Sequence, residues 1–414
     1  DVYKRQVMNK LLKLYSGAAI ACFLGITQAS AAESIPENGF VVHEWGSLTT
    51  VQDDTGATLN GLNETRHDLP KWVYVWPKDI PLRRPTFIEK PILYFYSKQR
   101  PLSVQVGVRC PEGIFTQWWP QVSSIYPSKM NPNIPMKNGR IIWENVKLTN
   151  NFTGKLRDVS SHPWWPTARN TNSAVLEVSH WGLKKKVEHE KFLFYRGATK
   201  FQSPFKVTFE NSNISVTNTS KKACSDVFIV YVQENTCCYA YFASLAAGEN
   251  VIVSPLSQGE DQSRIKTSKD ARSLFKKQLI AQGLFEKEAE GMTSIWEGSY
   301  FNKHGLRVIH FCSANEIDTL MPLHIQPKPV DIKRVLAVRM ECITPDTKRK
   351  INEWIEQLKH DDFKVRSLAQ KELESLDRFG LTLLRDAYAK TKDPETKLRL
   401  EAIINKVEFS IGKP

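Results

Sequence analysis

The stretch "FVVHEWGSLTTVQ", Phe40 to Gln52, sets a histidine, a glutamate and a tryptophan side by side. A zinc-protease helix would need His-Glu-x-x-His; Ser47 stands where the second histidine belongs, and Gly46 weakens a helix. Read as a strand, His43 and Trp45 point one way and Glu44 the other. His43 and Glu44 then act together only if Gly46 bends the strand or marks a bulge. Two readings stay open. One is an internal strand with Glu44 solvated or paired. The other gives one of these side chains a functional role.

The strand reading spreads outward. Between residues 40 and 258, short apolar runs alternate with Gly, Pro, Asn and Asp: "PILYFYS", "LSVQVGVRCPEG", "IFTQWWP", "RIIWENVKL", "AVLEVSHWG", "KFLFYRG". This is the spacing of an antiparallel sandwich. "PFKVTFENSNISVTNTS" and "DVFIVYVQENTCCYAYFASL" each read as a hairpin, and residues 201–258 as an immunoglobulin-like unit. From Ser268 the period changes to that of a helix. Leu274, Phe275, Leu279 and Ile280 form one stripe; Phe285, Ala289, Met292, Ile295 and Trp296 form a second. "GLRVIHFC" and "VLAVRMECI" then return as strands, so the helical hairpin is an insertion.

The last segment differs in composition. Residues 346–414 carry 28 charged side chains in 69 positions, against 68 in 314 for residues 32–345. Pro345 opens a helix, Asp393 and Pro394 open another, and Val365, Leu368, Ala369, Leu373 and Leu376 form an apolar side between them. The expected class is mainly β, with antiparallel sandwich domains, an inserted helical hairpin and a C-terminal helical appendage. The expected divisions are 1–31, a signal segment and upstream residues; 32–200, an N-terminal β-rich domain; 201–345, the immunoglobulin-like unit with its inserted helices; and 346–414, the helical tail.

Residues 1–7 precede the first methionine, Met8. Lys10 and Lys13, the apolar stretch Leu14 to Ile26 and the small residues Ala29-Ser30-Ala31 then form a secretory signal, cut after Ala31 or Ala32. The expected location is periplasmic or extracellular. No later segment has 18 uninterrupted apolar residues, so a soluble mature chain with no transmembrane segment is expected. The 414-residue chain has 11 Trp and 20 Phe, enough for sizeable cores and against disorder. Of its net charge of +13, +8 falls on residues 32–345, which suits an anionic envelope polymer or simply a solvated surface. Export argues against a nucleic-acid partner. Six cysteines follow the signal: Cys110, Cys224, Cys237, Cys238, Cys312 and Cys342. An oxidising compartment permits disulfides, and the spacing selects no pairing. No CxxC is present and the histidines show no ligand spacing, so no metal or cofactor is expected.

"FVVHEWGSLTTVQ", "PILYFYS" with "IFTQWWP", "KFLFYRG" and "GLFEKEAEGMTSIWEGSYF" with "GLRVIHF" together resemble a family of secreted bacterial proteins of planctomycete and acidobacterial type. Its hallmark is His-Glu-Trp-Gly-Thr near the mature N-terminus, and Ser47 replaces the usual threonine here. The resemblance covers roughly residues 40–345 and implies location and extent without a chemistry. "DDFKVRSLAQKELESLDRFGLTLLRDAYAKTKDPETKLRLEAIINKV" is similar to HEAT-like helical segments, which implies an interaction or spacer role.

The matching motifs nominate one constellation: His43, Glu44 and Trp45 from the first strand, Tyr195 and Arg196 from "FLFYRG", and Glu288 with Trp296 from the inserted hairpin. Arg binds anions through forked hydrogen bonds and Trp stacks on sugars. In the alternative, Arg196 pairs with Glu44 or Glu288 and pins the helix to the sheet. Trp118 and Trp165, from two "WWP" stretches, join Trp72 and Trp76 as an aromatic platform for a glycan, or are core residues. Two functions follow. The first is a non-catalytic envelope binding or scaffold protein for a glycan or a protein, with the tail as a protein-partner surface. The second is a polysaccharide hydrolase with Glu44 and Glu288 as its acid and base, which requires carboxylates about 5–10 Å apart.

Overall fold

In a strand exposed on one side, polar and apolar residues alternate; a strand buried on both sides has no such freedom. All twelve residues of Val41–Gln52 are buried. The computed structural model describes residues 35–412, apart from 60–61, 64–68, 77–82, 85, 99–101, 129–136, 150–151, 181–185, 211–212, 234–235 and 255–266. The expected signal segment lies outside the described residues.

Val41–Gln52 lies in the middle of a nine-stranded sheet. On one side the sheet continues through Thr86–Tyr96, Leu193–Thr199 and Gly113–Trp119 to Tyr74–Val75. On the other it runs through Asp331–Cys342, Gly305–Phe311 and Cys224–Gln233 to Thr236–Leu245. The sheet is antiparallel except at its centre. There Val41–Gln52 runs parallel to Asp331–Cys342, with Glu44 opposite Arg334 and Thr49 opposite Arg339. The expected boundary at residue 200 therefore cuts through a single sheet, and residues 35–414 form one compact unit.

Gly46 has a specific reason to be glycine. Trp45 lies opposite Ile92 and Ser47 opposite Glu89, so the neighbouring strand fits Lys90 and Pro91 against Gly46 as a bulge. Lys90 sits there at φ 53°. A β-carbon on Gly46 would come within 2.9 Å of the Pro91 Cα.

A second sheet, Lys186–Glu190, Val175–His180, Gly139–Thr149, Leu102–Cys110 and Leu323–Gln326 in that order, packs over one face of the first. Val42, Leu48, Phe95, Phe115 and Tyr195 meet Val106, Ile141, Trp143 and Leu176 in the layer between them. The immunoglobulin-like unit is divided. Phe205–Glu210, Asn213–Asn218 and Asn250–Val253 form a small sheet, while the hairpin Cys224–Leu245 belongs to the large one.

The inserted helices, Ser268–Ala281 and Glu286–Glu297, cover the opposite face of the large sheet. Phe275, Leu279, Met292, Trp296 and Tyr300 pack there on Trp45, Tyr94 and Phe194. Ile280, expected in the stripe, is exposed; Ala271, Phe275 and Leu279 carry the burial at a four-residue spacing.

The tail is four helices, Pro345–Gln357, Phe363–Glu374, Gly380–Lys390 and Pro394–Gly412, around Ile351, Leu373, Leu384, Leu400 and Val407. Leu368 lies outside that core and is exposed. The helical appendage is docked on the large sheet. Phe379 is buried with Val51, Phe87, Ile114 and Ile343, Arg378 is ion-paired with Glu89, and Lys348 Nζ lies 2.5 Å from an Asp54 oxygen.

Candidate functional site

The strand places His43 and Trp45 under the inserted helices. His43 Nδ1 lies 2.7 Å from Glu288 Oε2, and both residues are buried. Glu288 Oε2 also accepts the Phe285 N–H at 2.8 Å. Phe285 has no side-chain acceptor to cap the helix it precedes, and Glu288 at the third position supplies one. His43 thus fastens the helix start to the sheet. Its ring lies 4.4 Å from that of Phe285, and Trp45 meets Trp296 edge-on at 5.6 Å. Ser47 Oγ, two residues on, lies 2.6 Å from the Tyr300 hydroxyl.

Glu44 points the other way, into the layer between the sheets. Arg334 Nε donates to its Oε2 at 2.6 Å, and the Tyr195 hydroxyl donates to its Oε1. Burial, reinforced by the Glu44 charge, pushes the Tyr195 phenol well above its ordinary range. Arg334 also reaches Asp318 at 2.9 Å. The expected pairing of Glu44 with Arg196 is therefore corrected. Glu44 meets Arg334 because parallel pairing sets them opposite each other, a register that lies 290 residues apart in the chain. Arg196 belongs to the helix-covered face, with its guanidinium 5.7 Å from the Phe194 ring.

A third group escaped the sequence reading. Glu89 is buried and ion-paired with Arg378. Burial alone would raise its carboxyl; the charges of Arg378, Lys90, Arg339 and Arg196 outweigh it and hold the pKa at about 2. Beside it, Glu341 accepts from Arg307 Nε at 3.0 Å and Arg339 Nε at 2.5 Å. Arg339 lies over Phe379 of the tail at 5.1 Å. Charges inside otherwise apolar strands, "TFIEKPILYFY" and "VLAVRMEC", were the available signal.

The tryptophan platform does not form. Trp45, Trp118, Trp165 and Trp296 are all buried. Trp165 Nε1 donates to Glu190 at 3.0 Å, and Arg169 holds the same carboxylate through Nε and Nη2, each at 2.8 Å. Trp72 and Trp76 are only partly exposed. The Trp72 ring lies 4.2 Å from that of Trp119, tilted by 55°, under the exposed Arg157. These are core and fastening contacts. Glu44 and Glu288 lie on opposite faces of the large sheet, both fully buried. They do not share a cleft, and the hydrolase pair is not assembled.

Among the described residues, no three His, Cys, Asp or Glu side chains group as metal ligands. All six described cysteines are free. No helix there is long and apolar enough to cross a membrane. Among the features reaching solvent are grooves and apolar side chains. A groove of about 650 Å³ follows Leu323 to Pro329, and one of about 350 Å³ separates Phe363–Glu374 from Arg399. Phe363, Leu368 and Leu398 are 72%, 60% and 68% exposed, all within the tail.

No protein-family model and no curated protein matches the chain. Among solved structures it is similar to the mu-homology domain of yeast delta-COP-I bound to a WxWxV peptide, at 8% identity and a TM-score of 0.27, over 74% of this chain and 100% of that one. The same yeast domain without the peptide gives 8% identity and a TM-score of 0.26, over 74% and 99% of the two chains. Likeness of this degree carries neither a fold nor a partner over to this chain.

Proposed function

We propose that this protein is an exported, non-catalytic binding or scaffold protein of the cell envelope, with a protein partner that meets the helical tail. The observation supporting this is how the chemically capable side chains are used. His43 is bound to Glu288, Glu44 to Arg334 and Tyr195, and Glu89 to Arg378, all buried. A catalytic acid or base must reach the proton it moves. These groups hold elements together instead.

The tail offers Phe363 and Leu368 on one helix and Leu398 on another to solvent, and exposed apolar side chains are where a protein partner would bury surface. The resemblance to a secreted planctomycete-type family, and of the tail to HEAT-like segments, belongs to the same proposal. The test is crosslinking of the wild type and of a Phe363→Ser, Leu368→Ser, Leu398→Ser variant in the envelope of the native host. A defined crosslinked species should be present with the wild type and lost in the variant, with equal melting temperatures. Cleavage of a polysaccharide by the wild type, abolished in Glu44→Gln at unchanged stability, would reverse the proposal.

A further inference from the structure

Leu323–Gln326 is the last strand of the second sheet; among the described residues, nothing pairs with it on the side away from Leu102–Cys110. The direction of its backbone groups follows from one bond. Arg109 N–H donates to the Pro322 carbonyl at 3.0 Å. Leu323 lies opposite Val108, His324 opposite Gly107, Ile325 opposite Val106 and Gln326 opposite Gln105. In an antiparallel ladder, pairs that exchange bonds alternate with pairs that do not. Pro322 has no N–H to return, but its carbonyl's bond to Arg109 marks a hydrogen-bonded position, so His324 and Gln326 are bonded inward. Leu323 and Ile325 then direct their N–H and C=O groups outward.

The groove of about 650 Å³ lies along these same residues and is closed by Pro327, Pro329 and Ile332. None of its lining comes from Leu102–Cys110, so it opens on the unpaired side. Pro322 and Pro327 bracket a slot of four residues. Natural edges are kept from indiscriminate pairing by charge, by proline or by shortness, and this one is short and bracketed by proline. Leu323–Gln326 has no Lys, Arg, Asp or Glu.

We infer that Leu323–Gln326 is a docking edge for an extended peptide segment of a partner protein, which adds a strand to the second sheet. Outward amides and carbonyls of Leu323 and Ile325 select an extended backbone. The groove takes apolar side chains at alternate positions against Leu323, Pro327, Pro329 and Ile332, and Lys328 on its border favours a carboxylate in the segment. This edge is separate from the tail surface, so the two proposals stand or fall independently.

The probe is the tightest binder selected from a displayed library of random ten-residue peptides against the whole protein, then synthesised. Amide exchange at Leu323 and Ile325 should slow when it binds. N-methylation of its ladder-forming amides should weaken binding about tenfold for each hydrogen bond lost. Leu323→Pro removes one outward N–H and no ladder bond, and should weaken binding to a similar degree. The methylated peptides alter only the ligand, so that comparison survives a fold defect in the variant. A selection that yields no binder, or binders indifferent to N-methylation and mapping away from Leu323, would overturn the inference.

Discussion

Arg378, between the second and third tail helices, is ion-paired with the buried Glu89 of the large sheet. The neighbouring Phe379 fills the apolar site formed by Val51, Phe87 and Ile114. The tail is thus part of the fold's closure. Ending the chain before Pro345 should leave that site open and Glu89 without its nearest cation. Loss of soluble, cooperatively unfolding protein is expected, read by expression level and a urea melt. A truncated chain with an unchanged midpoint would show the tail to be energetically detached. Arg378→Ala should cost roughly 3 kcal/mol, because it leaves a buried carboxylate with only its more distant cations.

Acid should act through the same carboxylate. The folded Glu89 pKa of about 2 lies below the ordinary glutamate value. Its contribution is therefore fully present above the unfolded pKa and is lost as the pH falls through the folded one. Glu341 and Asp377 are displaced in the same direction. Unfolding free energy should fall between about pH 5 and pH 2. The slope should be shallower in Arg378→Ala.

Gly46→Ala should destabilise the protein by about 1–3 kcal/mol, the usual range for a forced overlap in a packed site. The added carbon meets the backbone of Pro91 at 2.9 Å, and a backbone in the bulge cannot swing aside as a side-chain tip does. A melt equal to wild type would mean that the Lys90–Pro91 bulge relaxes freely.

Trp45→Ala should cost about 3–5 kcal/mol, as for other fully buried aromatics. Trp45 packs between Tyr94 and Trp296, in the layer that holds the inserted hairpin to the sheet. Chemical denaturation gives the number directly.

These outcomes mark how much was legible beforehand. The strands, the inserted hairpin and the tail helices were readable because each repeats its apolar residues with a local period. The opposite faces of His43 and Glu44 followed from strand geometry alone. What sequence could not supply was long-range register. Glu44 meets Arg334, not Arg196, through parallel pairing of strands 290 residues apart. The Glu89–Arg378 pair depends on where a loop between tail helices lands. Trp118 and Trp165 illustrate the same limit: residue type suggests a glycan face, and packing makes them core.

The central claim is that the His43–Glu44–Trp45 run fastens the fold and does not perform the function. Glu44→Gln tests it most directly. The substitution keeps the shape but removes the charge facing Arg334 and one acceptor for its Nε or for the Tyr195 hydroxyl. Measured by denaturant unfolding at neutral pH, stability should fall by roughly 2–4 kcal/mol, the range for breaking a buried charge pair while retaining some hydrogen bonding. Binding by the molecules that remain folded should equal that of the wild type. Wild-type stability, together with lost binding or a lost hydrolytic activity, would contradict the claim and return Glu44 to a functional site.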